Sequence, residues 1–323
     1  MSKAAVLVTA SKLSEQAQQI LREGGAEVIF MQDPITEDAL AAKLAEGIDA
    51  VVLRGSPPIT RRVLEGAKNL KMIAKHGAGV DSVDLEAATA RGVVVVTAGG
   101  ANADAVAEQT LALMLSLVRE LPRLDRNIKK GLWEKPQFLG RELRGRTVGI
   151  VGYGAIGRRV ARLAQAFGAH IVVFSRSRVA DADGARVEEN FDRLLGAVDI
   201  LSLHCPLTEK TRGLIGACEL GLMKRDALLI NTARGAVIDE TALYDALKNG
   251  RLAGAALETF AKEPVDPKNP LLTLDNVLAT PHVAAITQET TVRLGTVTAQ
   301  QIVDFLKTGA YTRANLVNPA VLK

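Results

Sequence analysis

The 323-residue sequence is short of the residues that mark several functional classes: it has two cysteines, four histidines, one tryptophan and three tyrosines. Cys205 and Cys218 cannot build a disulfide framework, and neither stands at metal-ligand spacing to a histidine. Buried, reduced thiols in a cytoplasmic protein without a metal are therefore expected. Nucleic-acid binding lacks its usual supports, because the formal net charge is only +4, Lys and Arg are scattered, and few rings are available to stack on bases. No apolar run approaches the roughly 20 residues of a membrane span. The most apolar helical stretch, residues 111–118, is bounded by Glu108 and Arg119. Ala4–Val8 is too short for the apolar part of a secretion signal, and no repeat or low-complexity segment occurs.

What is present is ordinary globular composition, 48% hydrophobic and 24% charged, in a chain long enough for two α/β domains. Residues 1 to about 100 alternate apolar runs with helical periods, which predicts strands near 4–10, 26–30, 49–53, 71–74 and 93–96 in a parallel sheet. From Asn102 to about Lys130 the pattern predicts one long helix. Its wide stripe of Val106, Leu111, Met114, Leu115 and Val118 suggests a homodimer contact. Six further strands follow near 147–151, 170–174, 198–203, 226–231, 253–257 and 276–279, the count of a dinucleotide-binding domain. A last helix, from about Gln288 to Lys307, and a short tail are expected to return to the first domain. The expected fold is thus α/β in two domains. One is a discontinuous, flavodoxin-like substrate domain of residues 1–101 and 287–323, and the other a Rossmann domain of residues 102–286.

Gly152-Tyr153-Gly154-Ala155-Ile156-Gly157 follows the strand at 147–151 and opens a helix, the context a dinucleotide fingerprint requires. Gly152 permits the tight turn, Gly154 lets backbone approach a pyrophosphate, and Gly157 lets helix and strand pack closely. The helix start at Ala155 and Ile156 offers amide donors to phosphate. An acid should end the next strand, about 20 residues past the glycines, to bind the adenosine ribose. Ser175-Arg176-Ser177-Arg178 stands there instead, which suits a 2′-phosphate and predicts NADPH in preference to NADH, with NADH still possible.

Reduction of a 2-oxo acid needs a cation for the carboxylate, a proton donor for the carbonyl oxygen, and a group to set that donor's protonation. Arg234 follows the apolar run 227–230, His282 follows 277–279, and Glu263 lies in a loop after another strand. Spacing alone does not join the three.

The segments Gly149–Gly157, His204-Cys205-Pro206-Leu207-Thr208, Asn231-Thr232-Ala233-Arg234-Gly235, Glu263-Pro264 and Thr280-Pro281-His282 resemble the D-isomer-specific 2-hydroxyacid dehydrogenase family. Lys75–Asp81 and Asn102–Glu108 extend the resemblance over nearly the whole chain. It implies that Arg234 binds the substrate carboxylate, and that Glu263 orients His282 and favours its protonated form. His282 then serves as general acid in reduction and base in oxidation. It also implies cofactor contacts at His204, Pro206, Thr232, Ala233, Arg234, Glu258, His282, Ala284 and Ala285. Glu258 stands where the family usually has an aspartate that holds the nicotinamide carboxamide. Backbone near Ala78 and Gly79 would clamp the substrate carboxylate, and Arg54 and Ser56, at a strand end, would read the rest of the substrate. His76 is not expected to be the acid. Hydroxypyruvate or glyoxylate reduction is the leading expectation. D-3-phosphoglycerate dehydrogenase ranks second, since no regulatory domain is expected after residue 323, though short forms occur in the family. A dinucleotide-sensing, corepressor-like binding protein is the alternative of another class.

Overall fold

In β1 (Ala4–Val8), Val6 and Val8 take one face of a sheet and Leu7 the other, and all three are fully buried. Helices cover both faces, so the strand reads as a continuous apolar run. The same holds for β3 (Ala50–Leu53), β4 (Met72–Lys75) and β5 (Val94–Thr97), which with β2 (Ala26–Phe30) form a parallel sheet in the order β2-β1-β3-β4-β5. That is the flavodoxin-like order.

The computed structural model describes residues 3–55, 57–176 and 179–322, and the chain divides into two units, Met1–Asn102 with Ala285–Lys323, and Ala103–Ala284. In the first unit the helix Gln288–Thr308 lies against the helix Glu15–Glu23. The approach is close at Gly295, where a Cβ would stand 2.7 Å from Ser14 Oγ and 3.1 Å from Ala17 Cβ. Beyond that helix the tail pairs antiparallel with the edge of β5 through Val96 and Leu316, and the Val317 amide donates to the Val95 carbonyl at 2.9 Å. This covers a strand edge that would otherwise expose unpaired backbone groups.

The second unit contains β6 (Thr147–Val151), β7 (His170–Phe174), β8 (Arg186–Val187), β9 (Ile200–Leu203), β10 (Leu228–Asn231), β11 (Gly254–Leu257) and β12 (Val277–Ala279). They run parallel in the order β12-β11-β10-β9-β6-β7-β8. The sheet therefore has seven strands where six were expected. The extra one, β8, is two exposed residues at the edge, with too little periodicity to signal a strand.

The helix expected from Asn102 to about Lys130 is instead two, Ala103–Val118 and Leu121–Lys129. Between them Glu120 takes the left-handed conformation, φ 52°, and Pro122 sits in the first turn of the second helix. Proline is tolerated there and not in a helix interior, so a new helix starts where the old one stops. The apolar stripe of the first helix is also not free for a partner. Val106, Leu111, Met114 and Val118 are buried within the unit, where the helix packs on Ala155–Ala166. Of the two thiols expected to be buried, Cys205 is and Cys218 is exposed, on the surface of the short helix Ala217–Leu222. Among the described residues no helix is long and apolar enough to cross a membrane.

Asn318 ties the tail down. Buried to 5% exposure, it accepts from the Val95 amide at 2.9 Å and donates to the Val93 carbonyl at 2.9 Å and to Thr89 Oγ1 at 3.1 Å. Asn318→Ala takes this partner from the Val95 amide and the Val93 carbonyl, while Thr89 Oγ1 keeps its bond to the Leu85 carbonyl, and should cost about 2–4 kcal/mol, read as a lower urea midpoint for the first unit. A change under about 0.5 kcal/mol, the usual range for an unimportant surface site, would contradict this.

Candidate functional site

The strands of the seven-stranded sheet end nearly level. Val151 pairs with Phe174 and Leu203, Asn231 with Leu203 and Leu257, and Leu257 with Ala279. The residues that follow, Gly152, Ser175, His204, Thr232, Glu258 and Thr280, therefore emerge along one edge. Strand order reverses between β6 and β9, and open α/β sheets bind ligands at that reversal.

The fingerprint glycines answer to specific contacts. Gly152 has φ +95°, and a Cβ there would stand 2.8 Å from the His204 carbonyl carbon and from the Cys205 amide nitrogen. At Gly157 a Cβ would run into the Gly152 carbonyl oxygen, whereas at Gly154 it would meet nothing within 4 Å. Gly154 thus leaves open space at the N-terminus of the helix Ala155–Ala166, where unpaired amides favour an anion. These residues fit a dinucleotide pyrophosphate.

Tyr153 adds a feature that the sequence did not disclose. Its buried hydroxyl donates to the Ala182 carbonyl at 2.9 Å and approaches Asp183 Oδ2 at 3.3 Å. Arg158 stacks 4.4 Å from the centre of the same ring and donates to the Asp181 carbonyl at 2.8 Å. The loop after β7 is therefore fastened to the fingerprint helix. Arg176 is exposed at the start of this loop, near enough for its charge to act on the Cys205 thiol, which burial pushes up. Ser175 is half-buried, and Ser177 and Arg178 lie outside the described residues.

Arg234 and His282 each leave a strand end on a tightly fixed turn. Asn231 Oδ1 accepts from the Ala233 amide at 3.0 Å and Asn231 Nδ2 donates to the Arg234 carbonyl at 2.9 Å, so one side chain holds the turn that carries Arg234. Thr232 is buried, its hydroxyl 2.9 Å from that of Thr110. His282, φ +56°, has Nδ1 2.7 Å from Glu263 Oε2, and the other Glu263 oxygen accepts from the Phe260 amide at 3.0 Å. A carboxylate only accepts, so Nδ1 carries a proton and Nε2 is the nitrogen left to exchange one.

Glu258 does something the family resemblance did not suggest. It is 1% exposed, and its oxygens accept from the Ala284 amide at 2.6 Å and from the Thr280 hydroxyl. Ala284 is buried and Ala285, the first residue beyond the unit, is half-buried. His204 has Nε2 2.8 Å from Ser202 Oγ and an enclosed Nδ1 without a partner among the described residues. Burial pushes it down to about 3, which keeps it neutral, and Pro206 beside it is exposed.

In the first unit, Arg54 donates from Nη1 to the Lys12 carbonyl at 2.7 Å, and its amide bonds Thr9 Oγ1 at 2.8 Å. Ala78 is exposed and Gly79 half-buried in the loop after β4, and Ser56 lies outside the described residues. His76 is pushed down to about 4, by burial and then by the charge of Arg54, so its imidazolium form is disfavoured at pH 7.

The architecture, a doubly wound sheet with a glycine fingerprint at its reversal, defines a dinucleotide-binding class. Residues 111–284 match the family model described as D-isomer specific 2-hydroxyacid dehydrogenase, NAD binding domain. The chain is 38% identical over 333 residues to a glyoxylate reductase of Aeropyrum pernix, covering 100% of this chain and 98% of the relative. It is 40% identical over 305 residues to a D-3-phosphoglycerate dehydrogenase of Archaeoglobus fulgidus, covering 93% of this chain but 57% of that relative's length. A solved NADPH-dependent glyoxylate/hydroxypyruvate reductase of Sinorhizobium meliloti, in complex with NADP and malonate, superposes with TM-score 0.87 at 29% identity over 99% of this chain and 98% of its own. The chain belongs to the D-isomer-specific 2-hydroxyacid dehydrogenase family. These relatives are enzymes and give no support to the dinucleotide-sensing alternative.

Proposed function

We propose that the chain is an NADPH-preferring reductase of a short 2-oxo acid, with glyoxylate or hydroxypyruvate as substrate. The observation that carries this reading is the 2.7 Å pair of His282 Nδ1 and Glu263 Oε2 on the strand-end edge that also bears the fingerprint. A bound nicotinamide would supply the hydride. His282 Nε2 gives its proton to the carbonyl oxygen in reduction and takes it back in oxidation, while Glu263 fixes the ring and balances the imidazolium charge. Arg234, with its planar fork, binds the substrate carboxylate and polarises the carbonyl. Thr232, Ala233, Ala284 and Ala285 line the nicotinamide side, and His204 and Pro206 the adenosine side. The likeness to a phosphoglycerate dehydrogenase at 40% identity favours, as a second reading, oxidation of D-3-phosphoglycerate by the same machinery.

The cofactor preference rests on Arg176, which stands where an acid would repel a 2′-phosphate. The partner in this reading is a second copy of the chain. The helix Leu121–Lys129 has no buried residue, and Leu121, Ile128, Leu132 and Trp133, which line one hollow, are 51%, 50%, 53% and 71% exposed. Contiguous exposed apolar surface of this kind marks an interface.

Three outcomes are expected. His282→Ala should lose about 10²–10⁴-fold in kcat with glyoxylate and still bind NADPH, since general acid catalysis contributes that much; near-normal turnover would contradict the acid role. kcat/KM should favour NADPH over NADH by about tenfold or more, one charge-assisted contact, and Arg176→Ala should remove the preference. Equal or better use of NADH by the unaltered enzyme would overturn it. Sedimentation should give twice the 34.3 kDa chain mass, and Trp133→Glu should shift it towards monomer. Monomer at every concentration would refute the dimer.

A further inference from the structure

We propose that Glu258 is a positioning residue for His282, a clamp on the turn that carries the acid; this deepens the reading above and rests on it. Glu258 grips alternate residues of the turn. Its backbone carbonyl accepts from the His282 amide at 2.9 Å, one carboxylate oxygen accepts from the Ala284 amide at 2.6 Å, and the other accepts from the Thr280 hydroxyl. A carboxylate at 1% exposure is expensive to bury and is kept only where its oxygens are engaged. The groups engaging it belong to the Thr280–Ala284 turn.

The turn needs holding. His282 has φ +56°, a conformation that costs free energy for a residue with a Cβ and persists only where the surroundings impose it. The amide bonded to the Glu258 carbonyl is that of His282 itself. Glu258 also starts the loop that carries Glu263, whose Oε2 lies 2.7 Å from His282 Nδ1. The acid and the carboxylate that orients it thus hang from one strand exit, and Glu258 sets the spacing between them. The extra methylene of glutamate, compared with aspartate, provides the reach across to Thr280 and Ala284.

The test is Glu258→Gln, a change of charge with little change of shape, alongside Thr280→Val, which removes one donor to the clamp. The His282 ring signal is read in protein labelled with ¹⁵N-histidine, where four histidines make assignment by its loss in His282→Ala direct. The expected result for Glu258→Gln without cofactor is a shifted or broadened His282 signal. With glyoxylate, kcat should fall about tenfold or more, as for misplacement of a reacting group, while the NADPH Kd stays within about threefold. Thr280→Val should move the same signal in the same direction and lower kcat by a smaller factor, and it serves if Glu258→Gln fails to fold. An unmoved His282 signal in both variants overturns the proposal. So does a tenfold or greater loss of NADPH affinity with unchanged binding of 2′,5′-ADP, which would place Glu258 against the nicotinamide instead. The ring signal does not depend on turnover, so this result stands apart from the His282→Ala kinetics: failure there removes the acid role, and failure here removes only the clamp.

Discussion

Parallel pairing is the constraint on which the rest of the second unit depends. Parallel strands need crossovers, and crossovers place helices on both faces of the sheet, so only the two strand-end edges remain for polar chemistry. With Val151, Leu203, Asn231, Leu257 and Ala279 in register, the fingerprint, the Arg234 turn, the Glu258–Glu263 loop and the His282 turn all leave from the same edge. Residues 130 positions apart in the chain, Gly152 and His282, are brought to one edge by backbone hydrogen bonding before any side chain contributes.

Within that frame, small groups set the geometry. Gly152 and Gly157 let the fingerprint turn meet the His204–Cys205 backbone just past β9 and its own helix where a Cβ could not fit. Asn231 closes the Arg234 turn with its two amide atoms, and the Phe260 amide aims Glu263. The histidines divide by environment. His76 and His204 are driven to the neutral form by burial, whereas His282 stands at the surface with a carboxylate on Nδ1. The proposed acid thus differs from His76 and His204 in its exposure and in the carboxylate on one ring nitrogen.

Much of this was legible in the sequence because it rests on local rules. Continuous aliphatic runs announced buried parallel strands, and the strand-glycine-helix order announced the fingerprint. Arg234 and His282 were visible as strand-end residues and Glu263 as a loop residue, but only the family resemblance joined them, since their departure from one edge comes from sheet register rather than spacing. Tertiary contacts stayed hidden. The helix break at Glu120 precedes Pro122, a residue a helix accepts in its first turn, so periodicity carried across it. β8 is too short to show a period, and Cys218 is exposed because its helix turns that face to solvent. Nor could residue type reveal that Glu258 faces Thr280 and Ala284, or that Tyr153 reaches the loop at Ala182.

The central claim is hydride transfer to the carbonyl carbon of a 2-oxo acid, with the proton arriving through His282. Its most direct test is reduction of glyoxylate and of hydroxypyruvate with NADPH stereospecifically deuterated at C4 of the nicotinamide, followed by mass and NMR analysis of the product. One of the two C4 isotopomers should deliver a single deuterium to C2 of the 2-hydroxy acid, with none washed in from solvent. A product without deuterium at C2 from either isotopomer, or no turnover of either acid with either cofactor, would contradict the account.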